Sequence, residues 1–336
     1  MQTFIGVEGG ASFSKAVLIT ETGTVLASVE DAPSTNYLLV GVQLCEQRLN
    51  EIVQRLKANA SIDAHHVPEA IGLCLSGCED EENNKQFSRN LLQKFPSLAT
   101  KCIVGSDTFG SIMTASPNGG IVLIAGTGSN SFLLNPNGTT KRCGGWGHLF
   151  GDNGSGFWIV NKAITAVLNA DDSFDSLPYD IERVRDLIYK HFKIDTTFGL
   201  LEPAYLNFSK TEFAALCVKL AEAANDGDKL SRFVFHEAGK ELGKHVVALL
   251  PFVECTLLDS NDGLKIVCVG SVFKSWNLLK DGFFTALGAK VKKLTLVQLT
   301  KSAAIGAAFY AAKQTNYDIP LDFTQNANVL CRFSCE

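Results

Sequence analysis

The sequence predicts an α/β fold made of two similar domains with a ligand-binding cleft between them. One layout occurs twice, from residue 3 and again from residue 120: strand, glycine turn, strand, hairpin turn, strand. Segments with helical spacing follow each copy. Coincidence is the alternative, since three-stranded meanders are common. A duplicated domain explains both observations, and it favours domains at residues 1–117 and 118–336 with a cleft where ligands commonly bind.

The first domain opens with β-branched and apolar runs that turn residues separate, as is typical of strands. The predicted strands span residues 3–8, 14–20, 24–29, 70–75 and 101–104. Between them, apolar residues recur at helical spacing on one face, for example at Leu49, Ile52, Val53 and Leu56. The predicted helices span residues 50–60 and 86–95.

The second domain repeats the meander and then becomes mainly helical. Its predicted strands span residues 120–125, 130–134, 139–143, 264–269 and 293–297. Its predicted helices span residues 156–168, 181–191, 211–225, 230–250, 276–287 and 303–312. The alanine-rich helix at 303–312 is expected to close the chain and to pack back on the first domain.

The composition indicates a globular protein without a strongly charged partner. Hydrophobic residues make up 46% of the 336 residues, charged residues make up 19%, and the formal net charge is -5. Nucleic acids and anionic membranes usually bind basic surfaces, so neither is expected as a partner. The opening segment, MQTFIGVEGG, has no basic region and no long apolar run, which predicts a cytoplasmic protein. The whole chain contains 10 cysteines, which should be reduced and mostly buried and should not form a zinc site.

Two glycine turns follow the opening strands of the two domains. The first contains Gly10 and Ser12 and comes directly after the acidic residue Glu8, whereas the second contains Thr127 and no acid. Glycines allow close approach of a ligand, and the N–H groups of such turns bind anions. Each turn alone also fits an ordinary hairpin, but the pair favours a polyphosphate site.

Asp107 lies in the loop Gly105-Ser106-Asp107 that follows the predicted strand 101–104, and it precedes a Thr-Phe-Gly-Ser segment. A carboxylate there could accept a proton from a substrate hydroxyl. The competing interpretation is a helix N-cap, for which aspartate is also well suited.

The segment from Cys143 to Gly156 contains glycines on both sides of Trp146, followed by Asp152. Glycine-rich backbone beside an aromatic, a carboxylate and amides is suited to a sugar pocket. The alternative is a flexible surface loop, which we disfavour because large aromatic residues are seldom fully exposed.

These motifs together resemble the superfamily of acetate kinases, sugar kinases, heat-shock chaperones and actin. Within it the chain is similar to the eukaryotic N-acetylglucosamine kinase family of the BadF/BadG ATPase group. The similar segments run over most of the chain and are Val7-Glu8-Gly9-Gly10, Ser34-Thr35-Asn36, Ser76-Gly77, Asp107, GIVLIAGTGSN, CGGWGH, Gly151-Asp152 and CVGSVFK. The resemblance implies duplicated actin-like (ribonuclease H-like) domains and transfer of phosphate from ATP, with Mg²⁺, to the 6-hydroxyl of N-acetylglucosamine in amino-sugar salvage.

The resemblance also implies residue roles. Asp107 would be the general base on the sugar hydroxyl. The sugar site would further contain Asn36, Ser129, Asn130, Gly145, Trp146, Gly147 and Asp152. ATP would contact Gly10, Ser12, Thr127, Ala215, Gly270 and Ser271, and Glu8 would face the magnesium ion through water. A homodimer is expected from the same likeness.

Two positions depart from the family pattern. The first phosphate turn usually reads Gly-Gly-Gly-Thr, and here Ala11 and Ser12 replace its last two residues. Relatives tend to carry an aromatic residue two positions after the asparagine, where this chain has Leu38. Alternative functions are a kinase for glucosamine or glucose and a non-kinase ATPase of the same superfamily.

Overall fold

A computed structural model describes residues 1–10, 13–78, 80–175 and 178–334. The chain divides into two compact units. Unit 1 contains Met1–Gly120, Leu134–Gly138 and Thr295–Arg332, and unit 2 contains Ile121–Leu133, Thr139–Leu294 and Phe333–Glu336. Unit 1 therefore includes two later segments in addition to the predicted range 1–117.

The first sheet is mixed, as a meander followed by crossover connections requires. Its strands are β1 (Thr3–Gly9), β2 (Phe13–Thr20), β3 (Val25–Pro33), β4 (Ala70–Leu75) and β5 (Lys101–Gly105). They lie in the order β3-β2-β1-β4-β5. β1 is antiparallel to β2 and parallel to β4, which is parallel to β5. All residues of β4 are buried, as expected for a central strand covered on both faces.

The second sheet has the same strand order with one strand added. Its strands are β6 (Gly120–Ala125), β7 (Ser129–Leu134), β8 (Thr140–Gly144), β9 (Leu264–Val269), β10 (Lys293–Leu299) and β11 (Ala327–Ser334). The order is β11-β10-β9-β6-β7-β8, so β8-β7-β6-β9-β10 repeats the first sheet strand for strand. The predicted α/β fold with a repeated sheet is confirmed. The expectation that a helix closes the chain is wrong, because β11 follows it.

Most predicted helices are present, although several have different ends. The helices are α1 (Tyr37–Val40), α2 (Val42–Asn59), α3 (Glu81–Lys94), α4 (Asp107–Ala115), α5 (Gly156–Asp171), α6 (Glu182–Phe192), α7 (Lys210–Ala215), α8 (Cys217–Asn225), α9 (Lys229–Leu249), α10 (Cys255–Leu258), α11 (Trp276–Leu287) and α12 (Ala303–Lys313). The sequence did not predict α4. The helix predicted at 211–225 is divided at Leu216 into α7 and α8.

The alanine-rich helix α12 lies on the first sheet within unit 1. A Cβ built on Gly6 of β1 would lie 1.9 Å from the Ala304 carbonyl oxygen, and one built on Gly72 of β4 would lie 2.0 Å from that of Ala307. Backbone contact this close requires glycine in the strands and small residues on the helix. The alanines are thus explained by packing.

The expectation of reduced, mostly buried cysteines can be examined in the described part of the chain. Cys45, Cys74, Cys78, Cys217 and Cys268 are buried, and all nine described cysteines are free thiols. Cys335 lies outside the described residues. In the same part of the chain, no helix combines the length and apolar character needed to cross a bilayer.

Candidate functional site

Asp107 is the first residue of α4, separated from the end of β5 by one residue. Its Oδ2 accepts a hydrogen bond of 2.6 Å from the Ser76 hydroxyl, and its Oδ1 accepts one of 3.2 Å from the Ser106 hydroxyl. Ser106, not Asp107, occupies the N-cap position of the helix. The carboxylate is therefore oriented by two hydroxyl donors, and the N-cap interpretation of Asp107 is not what the structure shows.

The first glycine turn lies close to this carboxylate. The Ser76 N–H donates to the Gly9 carbonyl oxygen at 2.9 Å, so one residue links the turn to Asp107. The Ser34 hydroxyl donates to the Gly10 carbonyl oxygen at 2.8 Å. Ser12 lies outside the described residues. We call the set of Gly9, Gly10, Ser34–Asn36, Ser76, Gly77 and Asp107 the Asp107 region.

Asn36 belongs to the same region and caps a helix. Its Oδ1 accepts from the Leu38 N–H at 3.0 Å at the start of α1, which leaves the amide nitrogen as a donor for a ligand. The Leu38 side chain is 67% exposed. A Cβ built on Gly77 would lie 2.8 Å from the Leu38 Cδ1, so Leu38 lies beside Gly77, near Asn36.

Glu8 has a structural partner within unit 1. Its Oε2 accepts from the Ser302 hydroxyl at 2.7 Å and from the Ala303 N–H at 3.0 Å, at the N-terminus of α12. A carboxylate at a helix N-terminus is electrostatically favourable. No group of three or more potential metal ligands occurs among the described residues. A magnesium role for Glu8 stays a prediction.

The second glycine turn, residues 126–129, is bonded to the segment that follows Asp152. The Gly156 N–H donates to the Gly126 carbonyl oxygen at 2.8 Å, and the Ser129 hydroxyl donates to the Asn153 carbonyl oxygen at 2.7 Å. The Ser129 N–H donates to Asp152 Oδ1 at 3.0 Å. Turn and segment therefore form one hydrogen-bonded structure, and Thr127 is exposed at its tip.

Asp152 is buried and paired with a lysine that the sequence analysis missed. The residue is 3% exposed and has a left-handed backbone with φ of 58°. The Lys210 Nζ lies 2.6 Å from Asp152 Oδ2. Lys210 is the first residue of α7, and nothing in the spacing of the sequence links it to the turn. We call the turn 126–129, residues 143–156 and Lys210 the Asp152 region.

The glycine-rich loop in this region is held by Ser129 and Arg142. The Gly145 N–H donates to the Ser129 carbonyl oxygen at 3.2 Å. Arg142 donates to the carbonyl oxygens of Gly144 and Gly145 at 3.0 and 2.6 Å, and its guanidinium lies 5.1 Å from the centre of the Trp146 ring. Trp146 is 70% exposed, so the expectation that this ring would be covered is wrong.

Two further sugar-site candidates lie in the same loop and beside it. Asn130 neighbours Gly145, and its Oδ1 is buried without a hydrogen-bond partner in the described part of the chain. A buried amide oxygen of this kind favours binding of a ligand donor. Gly147, like Gly145, has a left-handed backbone, with φ of 78° and 76° respectively.

His245 of α9 lies behind the loop. Its Nδ1 is 3.3 Å from both the Ser131 hydroxyl and the Cys143 carbonyl oxygen. A Cβ built on Gly144 would lie 2.4 Å from the His245 Cε1, so only glycine fits there. Burial lowers the pKa of His245, whereas its hydrogen bonds and the charge of Glu241 act in the opposite direction.

Of the predicted nucleotide residues of unit 2, Gly270 lies directly beside the second turn. A Cβ built on Gly270 would lie 2.3 Å from the Ala125 carbonyl oxygen, so Gly270 contacts the end of β6. Ala215 ends α7, whose Ala214 packs near Gly156, and both Ala215 and Ser271 are exposed. The structure therefore brings several candidates of this set together within unit 2.

Sequence comparison supplies the family. The profile of the BadF/BadG/BcrA/BcrD ATPase family matches residues 5–311. The chain belongs to this ATPase family. Use of ATP follows from that membership, and the repeated sheets are those of an actin-like ATPase fold.

Curated relatives match this ATPase over nearly its whole length. It is 25% identical over 316 residues to the N-acetylmuramic acid/N-acetylglucosamine kinase of Clostridium acetobutylicum, covering 94% of this chain and 99% of that one. It is 24% identical to the N-acetyl-D-glucosamine kinase of Dictyostelium discoideum, covering 92% and 98%.

Solved structures confirm the fold. The crystal structure of a proposed N-acetylglucosamine kinase of Chromobacterium violaceum matches with a TM-score of 0.63 and 23% identity, covering 92% of this chain and 98% of that one. A hexokinase of the ROK family from Thermus thermophilus matches with a TM-score of 0.58 and 14% identity, covering 94% and 100%.

Proposed function

We propose that this ATPase is a sugar kinase that transfers the γ-phosphoryl group of ATP to the 6-hydroxyl of N-acetylglucosamine. The observation that carries the proposal is the Asp107 carboxylate, which accepts hydrogen bonds from two serine hydroxyls. One of these serines, Ser76, also bonds the first glycine turn through its backbone N–H. The names of the two curated relatives support the sugar. The expected role in the cell is salvage of amino sugars by a cytoplasmic homodimer.

In this proposal Asp107 acts as the general base. The sugar O6 attacks the γ-phosphorus, the bond from that phosphorus to the oxygen bridging it to the β-phosphate breaks, and the O6 proton passes to the Asp107 carboxylate. The Ser76 and Ser106 hydroxyls fix the orientation of the carboxylate, so that one oxygen can face the attacking hydroxyl. Since phosphoryl transfer depends mainly on positioning and charge neutralisation, orientation is the main contribution required of these groups.

Each of the two regions, taken by itself, offers groups that suit a sugar. In the Asp107 region, the Asn36 amide nitrogen is the available donor. Beside Gly145 of the Asp152 region, the buried Asn130 Oδ1 is an acceptor that needs a donor, and an N-acetyl N–H or a hydroxyl would supply one. Gly145 and Gly147 allow backbone atoms to approach the ring closely.

The residues around the glycine turns fit ATP. Thr127 is exposed at the tip of the second turn, Gly270 contacts the end of β6 directly before it, and Ala215 and Ser271 are exposed residues of the same unit; in unit 1, Gly10 continues the first turn. Mg²⁺ is usually held by phosphates and one or two carboxylates, so a single carboxylate such as Glu8 fits, although one of its oxygens already bonds α12. When bound, the ion would neutralise charge on the phosphates.

The test is a coupled assay of purified protein with ATP, Mg²⁺ and a panel of N-acetylglucosamine, N-acetylmuramic acid, glucosamine and glucose. We expect the highest kcat/KM with an N-acetylated sugar, and NMR of the product should show phosphate on O6. An equal kcat/KM with glucose would contradict the substrate, phosphate on another oxygen would contradict the position, and ATP hydrolysis without a phosphorylated sugar would favour a non-kinase ATPase.

A further inference from the structure

Lys210 is a charged residue of the Asp152 region for which the proposed function gives no role. Its Nζ lies 2.6 Å from Asp152 Oδ2, and a Cβ built on Gly128 would lie 3.0 Å from the same Nζ. The ammonium group therefore lies against the backbone of the second glycine turn, beside the exposed Thr127.

We infer that Lys210 is a binding residue for the phosphate chain of the nucleotide, and that its ammonium group pairs with Asp152 when no phosphate is bound. The inference rests on the proposed function, because it takes the turn as the nucleotide site. Backbone N–H groups supply only partial charges to phosphate oxygens, whereas a lysine supplies a full charge and stronger, charge-assisted hydrogen bonds.

The geometry of the pair favours this role over simple neutralisation of a buried acid. The Asp152 side chain is 4% exposed and its Oδ1 is fixed by the Ser129 N–H, whereas the Lys210 side chain is 30% exposed. An ammonium group has three donors, so an ion pair with one carboxylate leaves it able to bind a phosphate as well. The partial exposure of the Lys210 side chain allows a phosphate to reach this group.

The inference implies that Asp152 competes with phosphate for the ammonium charge. Removing Lys210 should therefore weaken binding of the phosphate chain but not of the nucleoside. Removing the charge of Asp152 should release Lys210 and leave phosphate binding as strong or stronger. If Lys210 only neutralised Asp152, neither change would affect phosphate binding.

The experiment compares ADP with adenosine by calorimetry in the presence of Mg²⁺, using wild type, Lys210→Met, Lys210→Arg and Asp152→Asn. Lys219→Met is the matched control, because Lys219 is an exposed lysine of α8 that pairs with the exposed Glu222. We expect Lys210→Met to weaken ADP binding about 10- to 100-fold and adenosine binding less than about twofold. Lys210→Arg should lose less affinity for ADP than Lys210→Met. Asp152→Asn should bind ADP at least as tightly as wild type.

A buried carboxylate without its partner could prevent Lys210→Met from folding. The double variant with Asp152→Asn and Lys210→Met removes both charges, and it should show the same selective loss of ADP binding. An unchanged ratio of ADP to adenosine affinity in either variant would overturn the inference while leaving the kinase proposal intact. A wild-type protein that binds neither ligand would instead contradict the proposed nucleotide site.

Discussion

The two glycine turns occupy equivalent places in two sheets of the same strand order, yet they are surrounded by different chemical groups. The first turn, between β1 and β2, is bonded to serines that follow β3 and β4 and lies near the Asp107 carboxylate. The second turn, between β6 and β7, is bonded to Asp152 and lies against Lys210.

The difference lies in where the partners come from. The groups around the first turn are supplied by the ends of strands that both sheets possess. Those around the second are supplied by the loop after β8, which corresponds in position to the segment after β3, and by α7, which is additional to the repeat. A duplicated scaffold thus provides two similar turns, and a helix outside the repeat places the positive charge of Lys210 at the second one. In our proposal Asp107, beside the first turn, accepts the proton, and Lys210, beside the second turn, binds phosphate.

Replacing Asp107 with asparagine should have the largest effect, because it removes the proposed base while keeping the shape of the side chain. We expect kcat to fall about 10²- to 10⁴-fold, and the Kd for the sugar to change by less than about tenfold. Steady-state kinetics and sugar binding by calorimetry measure the two quantities. The control is Asp31→Asn, which changes an exposed carboxylate paired with Arg55. Near-normal turnover of Asp107→Asn would contradict the assignment of the general base to Asp107.

Much of the fold could be predicted from the sequence, because strand patterns and turn residues are local signals. The repeated meander, the glycine turns and the helix at 156–168 are examples that the structure confirms. The missed α4 begins at Asp107 and carries Gly110, which local propensity disfavours in a helix, and its packing against α12 provides the compensation. β11 lies at the edge of the second sheet and was missed because its alternation is weak.

The site was less predictable, because its geometry depends on contacts between distant segments. The resemblance identified Asp107 and Asp152, but no local pattern linked Asp107 to Ser76 or Asp152 to Lys210. The exposed Trp146 shows another limit. A general preference for burying aromatic rings does not apply to a ring on a glycine-rich loop that Arg142 covers on one face.

Two glycines of the second turn provide a matched pair that tests how tightly the turn is packed. A Cβ at Gly128 would lie 2.7 Å from Asp152 Oδ1 and 3.0 Å from Lys210 Nζ, whereas a Cβ at Gly126 would meet nothing within 4 Å. Gly128→Ala should therefore destabilise unit 2 by about 1–3 kcal/mol. Gly126→Ala should unfold like wild type in thermal denaturation. Equal melting temperatures for the two variants would contradict the packing of Asp152 and Lys210 against the turn.

The smallest expected effect is a loss of stability in acid that arises from His245, which packs against the glycine-rich loop at Gly144. Burial lowers the pKa of His245 from its ordinary value of 6.5, even though Glu241 and Asp152 favour its charged form. Below pH 6.5 the unfolded chain therefore binds a proton that the folded chain does not, and the free energy of unfolding should decrease as the pH falls through this range. Thermal unfolding at pH 7.5 and pH 5.5 measures the loss, and His245→Asn should lessen it because asparagine does not titrate. The control is His65→Asn, at an exposed position, which should retain the wild-type pH dependence of stability. If His245→Asn also retained it, His245 would not be the source of the stability lost in acid.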